Sequence, residues 1–347
     1  MRLGFAVKVL GREGLKSNDA RRWQNAPHLR VSIEYVNAIF DYLEETKISM
    51  YRLSSDLAPY LTHPDMPQFH GQIEEARDEL VALGKRAQAM NLRLSFHPSQ
   101  YILLNSPNEK LTQASMNDID AQARMLDIMG QGDDAVVVTH VGGVYGDRDA
   151  ARQRFIDRFH LLPEAAKRRV VLENDDISWG VDDVLRIHQA TGIRCIFDHQ
   201  HHNCFNPDGR DVVDACCDIL KTWTVGRPKI HYSSPRLEDR IIERRDKTTS
   251  KMVKTASAPL ARQHADMIDA EVFIPFARDV AARCGCKTED RVLDVSQGDI
   301  AQNEGAPLEV APLEVPFDVM CEAKSKDLAL FKLRDDLAKM APEIAVR

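Results

Sequence analysis

The sequence predicts an α/β fold, a (β/α)8 TIM barrel in a single domain, and three observations lead there. Short apolar runs alternate with amphipathic stretches of roughly 12 to 20 residues, as strands laid parallel by helical crossovers require. Eight such runs can be read along the 347 residues. Most of them end directly in a histidine, aspartate or glutamate, and barrel enzymes gather their chemistry from the C-terminal ends of many strands. A doubly wound open sheet is the competing architecture, and the spread of these residues over so many strand ends favours the barrel.

In chain order, the strand candidates are 2–7, 48–53, 92–96, 135–139, 169–172, 193–197, 229–232 and 317–321, each short and most of them rich in Leu, Ile, Val or Phe. Helices are expected over 33–43, 73–90, 116–129, 184–190, 212–223, 267–284 and 328–340, where apolar residues recur at three- and four-residue spacing. Two stretches break the rhythm. Residues 235–262 form a long polar segment with eight basic and four acidic residues, a local balance of +4, and 8–30 carries six against two, again +4. Both follow a strand, which would put both on the ligand face, where phosphate contacts belong. Residues 286–316 are rich in turn formers and repeat A-P-L-E-V at 306–310 and 311–315. Two five-residue copies cannot build a solenoid, so this is a surface insertion before the last strand, not a repeat architecture. Neither stretch reads as a domain boundary, and 1–347 is one domain.

Composition bounds the class. With 44% hydrophobic and 29% charged residues the chain is globular with a sizeable core. No run approaches the ~18 to 20 apolar residues of a membrane helix, and the opening M-R-L-G-F-A-V-K reads as a strand, not a signal peptide. The seven cysteines are odd in number and lack a C-x-x-C pair, so reduced thiols in a cytoplasmic protein are expected. The net charge of −7 argues against nonspecific nucleic-acid binding. A monomer is the default.

The chemistry sits where strands end. The third strand runs into His97, the fourth into His140, the fifth into Glu173, and the sixth, I-R-C-I-F-D-H-Q-H-H, into Asp198 and His201. The seventh contains Lys229 and His231, the eighth delivers Glu322, and His264 opens the helix after the basic stretch. A single histidine after a strand is more often a hydrogen-bonded structural residue, and a single glutamate a cap or ion pair. Six consecutive strands ending this way are another matter, because buried ionisable groups are costly unless paired or bound to metal. Imidazole and carboxylate donors without thiolate suit Zn, Mn or Fe. Three carboxylates and five imidazoles exceed the needs of one ion, so two or three ions are expected, with Glu173 able to bridge two. Such sites stabilise the attacking and leaving oxygens of an in-line phosphoryl displacement. An ammonium at Lys229 would be repelled by bound cations. Either its pKa falls, or it becomes a carbamate that itself binds metal, or it points away.

These segments resemble the UV damage endonuclease family, TIM-barrel relatives of endonuclease IV. The matching pieces are R-L-G-F (2–5), Y-R-L-S-S-D-L (51–57), H-P-S-Q-Y (97–101), T-H-V-G-G (139–143), L-E-N-D-D (172–176), F-D-H-Q-H-H (197–202), K-I-H-Y-S-S (229–234), H-A-D-M-I-D (264–269) and E-A-K (322–324). They run in order along nearly the whole chain, and the combination is specific although each piece is short. The resemblance implies a divalent-metal DNA repair endonuclease, usually manganese-dependent, with zinc or magnesium as alternatives. It would nick damaged double-stranded DNA 5′ of UV photoproducts, leaving a 3′-hydroxyl and a 5′-phosphate, and would act at abasic sites as an extension. The metal ligands it implies are His97, His140, Glu173, Asp198, His201, His231, His264 and Glu322, with Lys229 at the cluster; Glu173, Lys229, His231 and Glu322 are the catalytic candidates. It also implies that Gln100 and Tyr101 probe the duplex, and two planar side chains can fill the gap left by flipped nucleotides. A buried aromatic capping a helix is the bland alternative for Tyr101. His63 and Phe5 are further DNA-contact candidates.

The chain departs from the family pattern in three places: Phe5 stands where tyrosine is usual, Ala6-Val7-Lys8 replaces a more polar run, and the segment from His264 to Glu322 is long. A metal-dependent sugar isomerase or epimerase on the same barrel is the alternative function. A small closed sugar pocket needs neither the basic stretches nor the Gln100-Tyr101 pair. A non-catalytic damage sensor is disfavoured by the complete ligand set.

Overall fold

The computed structural model describes residues 1–245, 251–284 and 312–347. In chain order its strands are β1 (Leu3–Ala6), β2 (Met50–Arg52), β3 (Arg93–Phe96), β4 (Val136–His140), β5 (Val170–Glu173), β6 (Arg194–Ile196), β7 (Lys229–Tyr232), β8 (Arg240–Arg245), β9 (Met252–Ser257) and β10 (Asp318–Cys321). Eight of them form one parallel sheet in the order β6-β5-β4-β3-β2-β1-β10-β7, while β8 and β9 pair separately as an antiparallel hairpin. The eight sheet strands coincide with the eight expected ones to within a residue or two at each end. The ring closes between β6 and β7 through a single parallel bridge, Asp198 to His231, with the His231 amide donating to the Phe197 carbonyl at 2.9 Å. Strand β6 is short because Asp198 already caps the next helix.

Around the ring lie α1 (Leu29–Glu45), α2 (Gln72–Glu75), α3 (Arg77–Ala89), α4 (Glu109–Ile128), α5 (Arg148–Leu161), α6 (Glu164–Arg169), α7 (Val181–Thr191), α8 (His199–Cys204), α9 (Val212–Leu220), α10 (Ala270–Cys284) and α11 (Lys326–Met340). The sequence gives no warning of α5, α6 and α8. In α5, R-D-A-A-R-Q-R-F-I-D-R-F-H-L has too few apolar residues to show a period, and Asp147 fixes its start by accepting from the Ala150 amide at 3.0 Å. The other two are only six residues each. The basic stretch 235–262, expected as a loop, contains the hairpin. The insertion expected at 286–316 falls mostly outside the described residues. Among the described residues no helix is long and apolar enough to cross a membrane.

Side chains alternate along each strand, and the parallel register aligns the alternation around the ring, so that His140 lies beside Glu173 and Met320 beside His231. The inward residues therefore stack in layers. The upper layer holds Ala6, Arg52, His97, His140, Glu173, Asp198, His231 and Glu322. Two positions earlier on their own strands lie small or apolar residues such as Gly4, Met50, Val138, Val171, Ile196 and Met320. Glycine is needed at position 4 because a β-carbon there would come within 2.7 Å of the Met50 carbonyl oxygen. The barrel floor is ionic: Asp318 accepts from the buried Arg93 guanidinium at 2.9 Å, from Arg227 at 3.1 Å and from Arg2 at 3.3 Å. Trp223 lies beneath the Arg93 and Arg194 guanidinium groups.

Two expectations are corrected here. Phe5 is fully buried and packs edge-on against Tyr51, with ring centroids 5.4 Å apart. The alternation that turns Gly4 and Ala6 into the barrel turns Phe5 outward under the helices, so it is a packing residue and not a DNA contact. Nor are all thiols reduced: Cys217 on α9 and Cys284 at the end of α10 form a disulfide, because these neighbouring helices bring their Cα atoms to 6.0 Å. Cys195, Cys204, Cys216 and Cys321 are free.

Candidate metal centre

Glu173 is the hub of the upper layer. It is buried, and its two carboxylate oxygens face four imidazoles. Oε1 lies 2.9 Å from His231 Nδ1 and 3.5 Å from His201 Nδ1. Oε2 lies 3.3 Å from His97 Nε2 and 3.6 Å from His140 Nε2. The remaining two carboxylates flank this hub: Glu322 Oε1 is 3.3 Å from His231 Nδ1, and Asp198 Oδ2 is 3.8 Å from His201 Nδ1.

Local structure orients each donor. Asp198 is the N-cap of α8 and accepts from the His201 amide at 2.8 Å, which places Asp198 and His201 on one turn. Asn174 holds Asp198 from both sides, accepting from its amide at 2.9 Å and donating to its carbonyl at 3.1 Å. Main-chain carbonyls take the Nδ1 hydrogens of His97 (Pro98, 3.0 Å), His201 (Asn174, 2.9 Å) and His264 (Glu322, 2.6 Å). In a neutral imidazole such bonds fix the tautomer and leave Nε2 with its lone pair, the usual arrangement of a metal-binding histidine. Arg52 forms an ion pair with Glu322.

Electrostatics mark the cluster as overloaded with carboxylate. Burial pushes the Asp198 carboxyl up to about 6, reinforced by the charges of Glu173 and Glu322 and opposed by His201 and His231. Burial also acts to lower His201, but Asp198, Glu173 and Glu322 outweigh it and raise the imidazole to about 10. His97, where burial prevails over Glu173, falls to about 4. At Glu173 and Glu322 burial is overcome by neighbouring cationic groups, and both carboxyls stay well below the usual range. Lys229 is fully buried, and burial together with Arg93 and Arg52 drives its ammonium well below the ordinary lysine value. It does not point away: two residues before His231 on β7, it faces the barrel interior one layer down.

Three overlapping groups bring ligand atoms within 4.8 Å of one another: His97, Glu173 and His231; Glu173, Asp198 and His201; and Asp198, His231 and Glu322. The buried atoms Glu173 Oε2, Asp198 Oδ2, His231 Nε2 and Lys229 Nζ have no hydrogen-bond partner in the protein. Hard oxygen and imidazole donors left unpaired in a buried cluster are what a divalent cation would satisfy, so the residues fit the expected centre. His140 and His264 lie outside these three groups. His264 stands at the rim, with its ring 6.4 Å from that of His201.

The mouth around the cluster is open. Lys8, Asn18, Arg52, His97 and Glu322 line a cleft of about 430 Å3, next to a cavity of about 560 Å3 bounded by Arg21, Tyr60, His63, Pro98, Ser99 and Gln122. Gln100 and Tyr101 follow on the loop after β3, and Tyr101 is 68% exposed, so it is not a buried helix cap. His63 faces the larger cavity and belongs to none of the metal groups. Sequence reasoning overlooked Arg52 and Asn174. Each stands inside a strand-end motif, and Arg52 has the strand-end position of the ligands, which could have drawn attention to it.

An eight-stranded parallel barrel with a carboxylate–imidazole cluster at its C-terminal mouth defines a TIM-barrel protein equipped to hold divalent metal. That class includes both nucleases and sugar epimerases, so relatives must decide between them. The profile of UV-endonuclease UvdE matches residues 29–346. A UV DNA damage endonuclease of Bacillus velezensis is 31% identical over 293 residues, covering 84% of this chain and 75% of that protein. The crystal structure of SacUVDE superposes with a TM-score of 0.72 at 24% identity, covering 98% and 99% of the two chains. A D-tagatose 3-epimerase-like protein shares the fold more loosely, with a TM-score of 0.53 at 11% identity and 98% and 96% coverage. The chain belongs to the UV-endonuclease UvdE family.

Proposed function

We propose that this protein is a DNA repair endonuclease that nicks the damaged strand 5′ of UV photoproducts, both cyclobutane dimers and 6-4 photoproducts, and that it cuts at the mouth cluster. Abasic sites are a secondary substrate. The observation that carries the reading is Glu173, buried between four imidazoles with one carboxylate oxygen that accepts no hydrogen bond, in a chain of this family.

Glu173, Asp198 and His231 would hold the centre of a two- or three-ion site, with His97, His201 and Glu322 beside them and His140 and His264 outermost. Manganese is the proposed ion, with zinc or magnesium as alternatives. Divalent ions held there would supply Lewis-acid polarisation of the scissile phosphate and charge compensation for the attacking and leaving oxygens. The protein's own groups do the rest. Arg52 holds Glu322 in place and adds positive charge to the cleft where a phosphate enters. Lys8, exposed on the same cleft, meets the strand backbone. Burial, Arg93 and Arg52 all disfavour the ammonium form of Lys229, which lessens its repulsion of cations; reaction of the free amine with carbon dioxide to give a carbamate would add an oxygen donor. Gln100 and Tyr101 stand where flipped nucleotides leave a gap, and His63 lines the neighbouring cavity. The enzyme would work as a monomer in the cytoplasm, on damaged duplex.

The test is a labelled duplex carrying one cyclobutane dimer, incubated with manganese and then with EDTA, beside His231→Ala. A metal-dependent nick directly 5′ of the dimer, lost in the variant, is the expected result. An intact dimer duplex, with cutting at an abasic site, would move the enzyme to abasic-site repair. Two intact duplexes with metal bound would end the nuclease reading.

A further inference from the structure

The β8–β9 hairpin leaves the barrel between two members of the proposed centre. Strand β8 starts nine residues after His231, and β9 ends seven residues before His264. Its base is laced to both: Pro235 bridges antiparallel to His264, the Arg236 amide donates to the Gln263 carbonyl at 2.8 Å, and the Ala265 amide to the Ser234 carbonyl at 2.8 Å. Arg236 itself turns inward, donating to the carbonyls of Glu238 (3.2 Å), Ser257 (3.0 Å) and Ala258 (2.6 Å), so it ties off the neck of the hairpin. The six-residue ladder, Arg240 opposite Ser257 through Arg245 opposite Met252, then reaches about 20 Å beyond that neck at ~3.4 Å per residue.

The described side chains of the hairpin are mostly in the open. All of β9 is exposed except the half-buried Ser257, and on β8 Ile241 is 70% exposed. A two-stranded ribbon without a packed face is marginal in water. Its charge is opposite to that of the chain: residues 240–245 and 251–257 carry five basic residues against one acidic, a balance of +4 within a protein of −7. The ladder register places Arg245 and Lys254 on one face, with Glu243 pairing to Lys254 at 3.3 Å.

We propose that this hairpin is a DNA arm that lies along the phosphate backbone of the duplex flanking the lesion. The proposal rests on the reading of the substrate as damaged duplex DNA. Charge complementarity selects this occupant, since phosphates present one negative charge per ~3.4 Å of strand and a 20 Å arm spans about six of them. Such contacts position the duplex without reading sequence, and the hydrogen-bonded neck between residues 234–236 and 263–265 relates the arm to the proposed centre.

The experiment compares wild type with R245A/K251A/K254A on a long dimer-containing duplex in manganese, across a salt series. A control, K85A/K221A/K339A, removes three charges on the outer helices. The arm variant should raise KM about tenfold or more near 150 mM salt. It should also flatten the slope of log(kcat/KM) against log salt by about 0.9 for each phosphate no longer neutralised. Its melting temperature and metal content should match wild type. Trimming the duplex to a few base pairs on one side of the dimer should abolish the difference, and trimming the other side should not. An unchanged KM and slope on the long duplex would overturn the arm while leaving the nuclease standing, as would an equal loss in the control. A wild-type dimer that dissociates in the variant, with KM unmoved, would assign the hairpin to a second copy instead. If wild type nicks no damaged duplex, the substrate reading and the arm fall together.

Discussion

Replacing Glu173 by glutamine tests the centre most directly, because the change keeps volume and shape and removes only the charge. The side chain is buried, and its oxygens lie 2.9 to 3.6 Å from nitrogens of four imidazoles, so any cation those imidazoles bind sits within several ångströms of the carboxylate. A unit negative charge about 4 Å from a unit positive charge is worth about 4 kcal/mol at the effective dielectric of a partly buried site. At 1.36 kcal/mol per tenfold, that loss corresponds to a decrease of about a thousandfold in kcat/KM. A divalent partner would deepen it, and relaxation of the cluster would soften it. The assay is nicking of a dimer duplex at saturating manganese, with metal content measured on the same preparation and the fold checked by circular dichroism. Glu173→Gln should fold, bind fewer ions and lose about three orders of magnitude. A glutamine variant with its full complement of metal and activity within tenfold of wild type would refute the claim that Glu173 is the hub.

Four further outcomes follow from particular side chains. Tyr101→Ala should leave stability unchanged and cost about 1 to 3 kcal/mol of binding to damaged duplex, the worth of one base–aromatic stack; a gel-shift series on damaged and undamaged DNA measures it, and equal weakening on both would argue against damage probing. Asp318→Asn should destabilise by about 3 to 5 kcal/mol in urea titration, because it strands the buried Arg93 guanidinium. Burial acts to raise the Asp318 carboxyl, but Arg93, the Arg2 amide and Arg227 together hold it below its ordinary value. Its contribution is therefore present above the unfolded pKa of ~3.9 and is lost as pH falls through the folded one; the variant should lose less stability than wild type between pH 7 and pH 3. Reducing the Cys217–Cys284 disulfide, which closes a 67-residue separation, should lower unfolding stability by about 4 kcal/mol on the chain-entropy relation, seen as a lower urea midpoint in dithiothreitol that is absent from a Cys217→Ser variant. Stripping ions with EDTA should lower the melting temperature, since metal at 100 times its dissociation constant adds about 2.7 kcal/mol, and an unchanged melting curve would count against a resident metal.

The barrel and most of its ligand layer were legible because two periods coincide. The alternation that makes a strand apolar towards the helices puts every second residue inside, and the strand end is where inward residues meet solvent and become polar. Reading which residue type ends each strand is thus reading the upper layer of the barrel, and His97, His140, Glu173, Asp198, His231 and Glu322 all fall in it. The same rule, applied inside the motif, would have excluded Phe5: its neighbours Gly4 and Ala6 are the small inward pair, so Phe5 must face out. Arg52 was missed because an arginine is not a ligand type, although its position obeys the rule. The hairpin was illegible for a different reason. A ribbon exposed on both faces has no apolar period to betray it, and its basic residues read equally well as loop.

The ligand layer also reconciles an acidic chain with a polyanionic substrate. Three carboxylates converge below the mouth, and one of them, Asp198, is pushed up to about 6 by burial and by its neighbours' charge. Buried charge of one sign is costly unless opposed, and the histidines that surround it oppose it only when protonated. Divalent ions would relieve that repulsion and at the same time reverse the sign of the field at the mouth. These three carboxylates would then be the means by which an acidic chain presents a positive centre to DNA, with Lys8 and Arg52 at the cleft and the hairpin beyond adding fixed positive charge around it. On this view the net charge of −7 says little about what the protein binds, because the carboxylates gathered at the mouth would act through the ions they hold.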